Sequence, residues 1–371
     1  MQLALDNVSK KYGAEDHMYP LSLQLVPGTI NVLLGTTQAG KTTLMRLMAG
    51  LDKPTAGKVM VNGQDVTGVS VRHRDLAMVY QQFINYPAFT VFDNIASPLR
   101  LRKLPEQQIR TRVLDMAERL HISPYLDRLP AELSGGQQQR TALARALIKD
   151  SELLLLDEPL VNLDYKLREE LRRELTELFS EGKTTVVYAT TEPLEALQLG
   201  GHTVVLHEGR MLQQGATLDV FNAPNSIQAA RTFSDPPINL INAQIDAQGQ
   251  AQLGSGIVIP LNAEQTQRAA PHKEVILGLR AHSLRLSPQY AVEMAIEAEV
   301  DLAEISGSET YIHSHRGADI SLVAQLGGVH DLALGSLCQM YFRPDDLFIF
   351  SRDGGLLFAP AHSKNNRQAG A

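Results

Sequence analysis

The chain has 371 residues, enough for two domains, and its 44% hydrophobic and 20% charged content suits a globular protein with a sizeable core. A formal net charge of −7 speaks against a nucleic-acid binder, and the single cysteine, Cys338, excludes a disulfide within the chain. No run approaches the roughly 18 apolar residues of a membrane helix, so any membrane role has to come through a partner.

The start, MQLALDNVSKKYG, has no long apolar core behind a basic flank, so no secretory signal is expected. Ile30 to Leu34 reads as a short apolar strand that runs into Gly35-Thr36-Thr37-Gln38-Ala39-Gly40-Lys41-Thr42. Lys41 to Ala49 reads as a helix that Gly50 closes. This is G-x-x-x-x-G-K-[ST] in the strand-to-helix setting the motif requires. Glycines let the backbone wrap closely round phosphates, and the bare amides of the helix start supply positive potential. In such a loop Lys41 reaches the β and γ phosphates of ATP and the Thr42 hydroxyl ligates Mg²⁺. Thr43 adds a hydroxyl near the α phosphate.

Leu76 to Tyr80 is a second buried strand, and Ile109 to Leu120 has helical periodicity. Leu133-Ser134-Gly135-Gly136-Gln137-Gln138-Gln139-Arg140 then leads into a helix reaching Lys149. Ser134 and Gln137 have the spacing of a capping box, and the two glycines leave amides bare, which makes an anion site. Leu153 to Leu156 is a strand ending in Asp157 and Glu158. It delivers both carboxylates to the edge that carries the phosphate loop. Asp157 suits Mg²⁺, largely through water, and Glu158 suits polarising the attacking water. Leu163 to Phe179 is a charged amphipathic helix. The strand Thr184 to Ala189 stops at Thr190, Thr191 and Glu192, where Pro193 opens a short helix. Val204 to Gln214 reads as a hairpin turning at Glu208 and Gly209.

The texture changes after about Thr232. Phe233 to Asn242, with Pro236 and Pro237, reads as a linker. Short alternating strands follow, among them Val275 to Leu279, Glu309 to His313 and Gln339 to Phe342. In Met294 to Leu302 the residues Met294, Ile296, Ala298, Val300 and Leu302 alternate with polar or small ones. This predicts a small all-β barrel or sandwich. The tail Ser363 to Ala371 is polar and expected to be disordered.

LSGGQQQR, taken with the phosphate loop and the Asp157-Glu158 strand, resembles the ATP-binding-cassette subunits of transporters over roughly Met1 to Phe233. The resemblance implies an α/β phosphate-loop ATPase domain, 1–235, with a helical subdomain at about 86–127 that meets a membrane permease. It also implies a head-to-tail pair of subunits, so that Ser134, Gly135, Gly136 and Gln137 contact the nucleotide bound mainly by the partner. Tyr12 stands where an aromatic stacks on adenine. Gln81 stands where a glutamine contacts Mg²⁺ and the attacking water. Asn162, Leu163 and Asp164 resemble the loop that crosses the pair's interface, with Val161 where a serine is commoner. VYQQFINYPAFTVFDNIASPLR and VNLDYKLREELRRELTEL resemble importers of maltose, glycerol phosphate and related sugars or polyols such as glycerol. ILGLRAHSLRL and YFRPDDLFIF resemble their OB-like β regulatory domain, here 236–362.

The main departure from that pattern lies at one strand end. The family ends the strand after its signature helix in T-H-D, and here the chain reads Thr190-Thr191-Glu192. Thr191 occupies the place of the histidine that holds the γ phosphate and the attacking water. Thr37 and Gln38 stand where Ser-Gly is usual. His202 and His207 are the nearest histidines in sequence. The resemblance therefore implies an ATP-hydrolysing subunit with a slow site of its own, paired with an unlike, complete ATP-binding subunit. That pair would sit at the cytoplasmic face of the inner membrane, beneath permease subunits that receive solute from an extracytoplasmic binding protein. The alternatives are a fully active homodimeric importer ATPase, a chiefly regulatory nucleotide-binding subunit, and a soluble cassette protein outside transport.

Overall fold

INVLL at Ile30–Leu34 and LLLLD at Leu153–Asp157 are buried along their whole length. Runs of this kind make strands covered on both faces. In the computed structural model, which describes residues 1–161, 163–180, 182–254 and 256–361, they lie in a six-stranded sheet. Its order is Arg210–Ala216, His202–His207, Ile30–Leu34, Thr185–Thr190, Leu153–Asp157 and Leu76–Val79. All but the first run parallel. The register aligns Leu34 with Thr190, Ala189 with Asp157, and Leu156 with Val79. Four strand ends thus share one carboxyl edge, the side on which such sheets take ligands.

A smaller antiparallel sheet holds Glu15–Gln24, Leu3–Tyr12, Ala56–Val61 and Gln64–Asp65. One apolar core joins both sheets to helix Lys41–Ala49, with Leu5, Leu23, Leu44, Met48, Leu155 and Val187 buried in it. Each such side chain contributes about 1.5–3 kcal/mol on burial. Gly50 ends the helix in the left-handed region, at φ 72°, and its N–H returns to the last turn. The stretch 86–127 holds helices Val91–Leu101 and Glu106–Arg119, which bury Ile95, Leu99, Ile109 and Val113. Buried Asn94 pins the loop before them by donating to the carbonyls of Tyr86, Phe89 and Thr90.

The chain divides into two compact units, Met1–Thr217 and Leu218 onward. This lies ahead of the expected division at 235/236. Helix Ile227–Thr232 carries Ala230 into a cluster with Ile238, Phe348 and Phe350, so it packs as part of the β-rich unit. Strand Asn239–Ile245 also begins inside the stretch read as a linker, because Pro236 and Pro237 break only its first half. The expected tail, 363–371, lies outside the described residues.

The second unit consists of two antiparallel sheets, of six and four strands, around a core that includes Ile241, Leu277, Val300, Ile312, Met340 and Ile349. Alternation in Met294–Ile305 holds at Ile296, Ala298 and Val300 but not at Leu302, which is 42% exposed. A register shift between Val300 and Leu302 turns the later residues to the other face. Arg280, from the ILGLR stretch, is buried without a carboxylate. It donates to the Phe221 carbonyl at 2.6 Å and to Ser234 Oγ at 2.8 Å, and lies 3.8 Å from the Phe221 ring centre. Burial pulls its pKa down to about 10.

Candidate active site

The phosphate loop closes tightly at the strand end. A Cβ on Gly35 would stand 2.5 Å from the Leu206 carbonyl oxygen and 2.7 Å from Ala39 Cβ, and Gly40 has φ 101°. Neither position accepts a larger residue without backbone movement. Lys41 is 5% exposed and folds back over the loop, donating to the carbonyls of Gly35 at 2.7 Å and Thr36 at 3.1 Å. Its Nζ also lies 3.3 Å from Glu158 Oε1. Burial pulls the ammonium pKa down, and Glu158 and Asp157 oppose that pull.

Gln38 sits in the same loop at φ 68°, a left-handed conformation that costs a non-glycine residue about 1–2 kcal/mol. Its side chain is exposed, so the strain is not offset by packing. Gln38→Gly is therefore expected to stabilise the first unit by about 1 kcal/mol, raising its melting temperature by about 2–4 °C in a thermal unfolding scan.

Asp157 and Glu158 arrive together at the end of their strand. Asp157 is 2% exposed, and its Oδ2 accepts from the Thr42 hydroxyl at 2.8 Å. Burial pushes its pKa up; the Thr42 bond opposes this and the Glu158 charge adds to it. Glu158 has φ 48°, and its backbone N–H donates to the Ala189 carbonyl at 3.1 Å. That turn swings its side chain towards Lys41 and towards Gln81, whose Nε2 donates to Oε2 at 3.0 Å. The oxygens of Thr42, Asp157 and Gln81 are a hard donor set, which fits Mg²⁺ held by few protein ligands and completed by phosphate oxygens.

Ser134 caps helix Gly135–Leu147 through the expected box. Its Oγ accepts from the Gln137 N–H at 3.4 Å, and Gln137 Oε1 accepts from the Ser134 N–H at 2.9 Å. A Cβ on Gly135 would meet nothing within 4 Å, so this turn is open. Leu163 Cδ2 would stand 3.1 Å from a Cβ on Gly136. Asp164 is exposed and its Oδ1 accepts from the Leu167 N–H at 3.0 Å, capping helix Tyr165–Ser180. Asn162 lies outside the described residues.

Thr191 stands directly beyond the central strand Thr185–Thr190 and lines a narrow recess with Glu158. Among the described residues no histidine lines that recess. His202 begins its strand opposite Asn31, at the other edge of the sheet. His207 ends that same strand, which the phosphate-loop strand separates from Thr191.

A cleft of about 700 Å³ opens over the loop, a volume suited to a small-molecule ligand. Thr37 to Thr43, Gln81 and Glu158 line it, and so do His17, Tyr19 and the turn Glu208–Arg210. These last residues are not evident from the sequence. The turn reaches the loop because the Gly209 N–H donates to the Ala39 carbonyl at 3.1 Å and the Tyr19 N–H to the Gly209 carbonyl at 2.9 Å. The hairpin signal at Glu208-Gly209 was legible, but its place beside the loop follows only from the strand order. Tyr12 does not line the cleft. Its hydroxyl donates to Asp52 Oδ2 at 3.1 Å, and its ring meets His17 edge-on at 4.7 Å.

Residues 18–161 match the ABC transporter family, and residues 235–283 match the MalK OB fold domain. The sn-glycerol-3-phosphate import ATP-binding protein UgpC of Shigella sonnei is 35% identical over 355 residues, covering 95% of this chain and 98% of that protein. The chain belongs to the ATP-binding-cassette transporter family. UgpC of Bordetella pertussis is 34% identical, over 86% of this chain and 88% of its own. Among solved structures, a dimeric post-hydrolysis state of the ATP-binding cassette MJ0796 bound to ADP and Pi is similar. It has a TM-score of 0.54 and 29% identity, over 58% of this chain and 98% of that one. This ABC subunit is thus an ATP-binding transport ATPase with a MalK-type OB domain. Among the described residues no helix is long and apolar enough to cross a membrane.

Proposed function

We propose that this chain energises an importer for glycerol 3-phosphate, or for a related sugar or polyol such as glycerol. In this reading it is paired with an unlike, complete ATP-binding subunit at the cytoplasmic face of the inner membrane. The observation that carries the pairing is the strand end at Thr190-Thr191-Glu192, beside Lys41, Thr42, the Asp157-Glu158 pair and a signature turn that are whole. The UgpC relatives and the MalK-type OB match support the solute class.

In this reading Lys41 and the loop amides hold the β and γ phosphates. Thr42, Asp157 and Gln81 would hold Mg²⁺, which supplies charge neutralisation between those phosphates when bound. Glu158, steered by Lys41 and Gln81, orients the attacking water and takes its proton. Phosphoryl transfer depends mainly on positioning and charge, and here the γ-phosphate side is one group short. Ser134, Gly135, Gly136, Gln137 and Asp164 would face the partner's nucleotide and complete a fast site there. Closing the pair on ATP and opening it after hydrolysis would drive permease subunits docked on the helical subdomain at 86–127, with solute delivered by a binding protein.

The experiment mixes this chain with permease subunits and a candidate second ATPase from the same organism. Turnover in the mixture well above the sum of the separate subunits is expected. Vigorous transport-coupled hydrolysis with this chain as the sole ATPase would instead establish a homodimer.

A further inference from the structure

Behind Thr191 lies a buried carboxylate to which the mechanism above gives no role. Glu195, in the first turn of helix Pro193–Leu199, is 7% exposed. Its Oε1 accepts from the Tyr188 hydroxyl at 2.5 Å, and its Oε2 accepts from the Thr190 hydroxyl. The nearby cation, Arg168, pairs with Glu192 at 2.9 Å instead. A carboxylate buried away from water needs such donors, and both oxygens have one.

Those donors belong to the strand end on which the site is hung. The Thr190 carbonyl accepts from the Gly35 N–H at 3.3 Å, at the start of the phosphate loop, and the Ala189 carbonyl accepts from the Glu158 N–H at 3.1 Å. Thr190 Oγ1 accepts in turn from the Glu192 N–H at 3.0 Å, closing a turn directly around Thr191. Thr190, Thr191 and Glu195 line the same recess as Glu158.

We propose that Glu195, acting through Tyr188 and Thr190, is a positioning residue for the γ-phosphate side of the site. It fixes the turn at Thr191 against Glu158, so that this side recognises a triphosphate. The loop around Lys41, which holds the diphosphate, meets this strand end through the backbone bond from Gly35 to Thr190, which the side chain of Glu195 does not make. The inference rests on the nucleotide reading given under Proposed function.

The test titrates full-length Glu195→Gln, Tyr188→Phe and Thr190→Val with Mg²⁺ and either ADP or a non-hydrolysed ATP analogue. Each variant is expected to lose about tenfold in affinity for the analogue, the scale of one hydrogen bond to a charged group, and to keep ADP affinity within about twofold. The Glu195→Gln, Thr190→Val double variant is expected to lose no more than the worse single one, since the groups act as a unit. Equal losses for both nucleotides, no loss for either, or additive losses overturn the proposal. Should Glu195→Gln fail to fold by circular dichroism, Tyr188→Phe and Thr190→Val carry the same comparison. Lys41→Ala separates the two readings. If it binds ADP as the parent does, the nucleotide site itself is misassigned. If it loses ADP while the Glu195→Gln analogue affinity is unchanged, only the positioning role fails.

Discussion

Replacing Thr191 by histidine is expected to raise ATP hydrolysis at this chain's own site by about 10²–10⁴-fold, the range of one positioned catalytic group. That corresponds to ~3–5 kcal/mol of barrier. The reason is geometric as much as chemical. Thr191 follows a strand end whose neighbours are fixed by Gly35 and Glu158, so a longer side chain starts from a defined place. Threonine offers one hydroxyl on a short stem, whereas imidazole reaches further and can carry a proton or a positive charge. His202 begins its strand at the opposite edge, and His207 ends a strand beyond the phosphate-loop strand, so neither stands in for it. Single-turnover hydrolysis on saturated enzyme is the measurement. The gain is expected in the rate, with nucleotide affinity changed little, because the group acts on the transition state. An unchanged rate would locate the deficiency elsewhere, with Thr37 and Gln38 next in line.

Lys41→Ala is expected to weaken Mg²⁺-ATP binding at this chain by at least about 100-fold, or ~3 kcal/mol, the value of one charge-assisted contact made and one buried partner stranded. Lys41 is 5% exposed and is already held by the Gly35 and Thr36 carbonyls, so its ammonium is placed before any phosphate arrives. Removing it also takes away the ammonium 3.3 Å from Glu158, so that carboxylate faces the incoming phosphates without its lysine partner. Titration with a fluorescent ATP analogue reads the loss. Circular dichroism should show the fold retained, since the large core residues around helix Lys41–Ala49 are untouched.

The sequence and the structure part company along a physical line. The strand Ile30–Leu34, the acid-bearing strand and the capping box at Ser134 are local patterns, and each forms where its residues dictate. Their convergence could be expected too, because strand ends of a parallel sheet share an edge. What the sequence hid is set by packing between distant segments. His17, Tyr19 and Arg210 reach the cleft through the pairing of a hairpin tip with the loop, and nothing in their own neighbourhoods announces it. The shift after Val300 was hidden for the same reason, since a bulge depends on the partner strand. At Tyr12, placed by the resemblance where an aromatic stacks on adenine, packing adds what the sequence hid. The residue is 46% exposed and its ring meets His17, a lining residue of the cleft, while Asp52 holds its hydroxyl and both guanidinium contacts of Arg46.

In the function proposed above, this chain holds ATP at its own loop and turns it over slowly. The most direct measurement is nucleotide binding and single-turnover hydrolysis by the purified full-length chain with Mg²⁺, before any partner is added. The expected result is saturable ATP binding, lost in Lys41→Ala, with hydrolysis far slower than that of Thr191→His. Rapid hydrolysis by the unaltered chain, or no ATP binding at all, would contradict it.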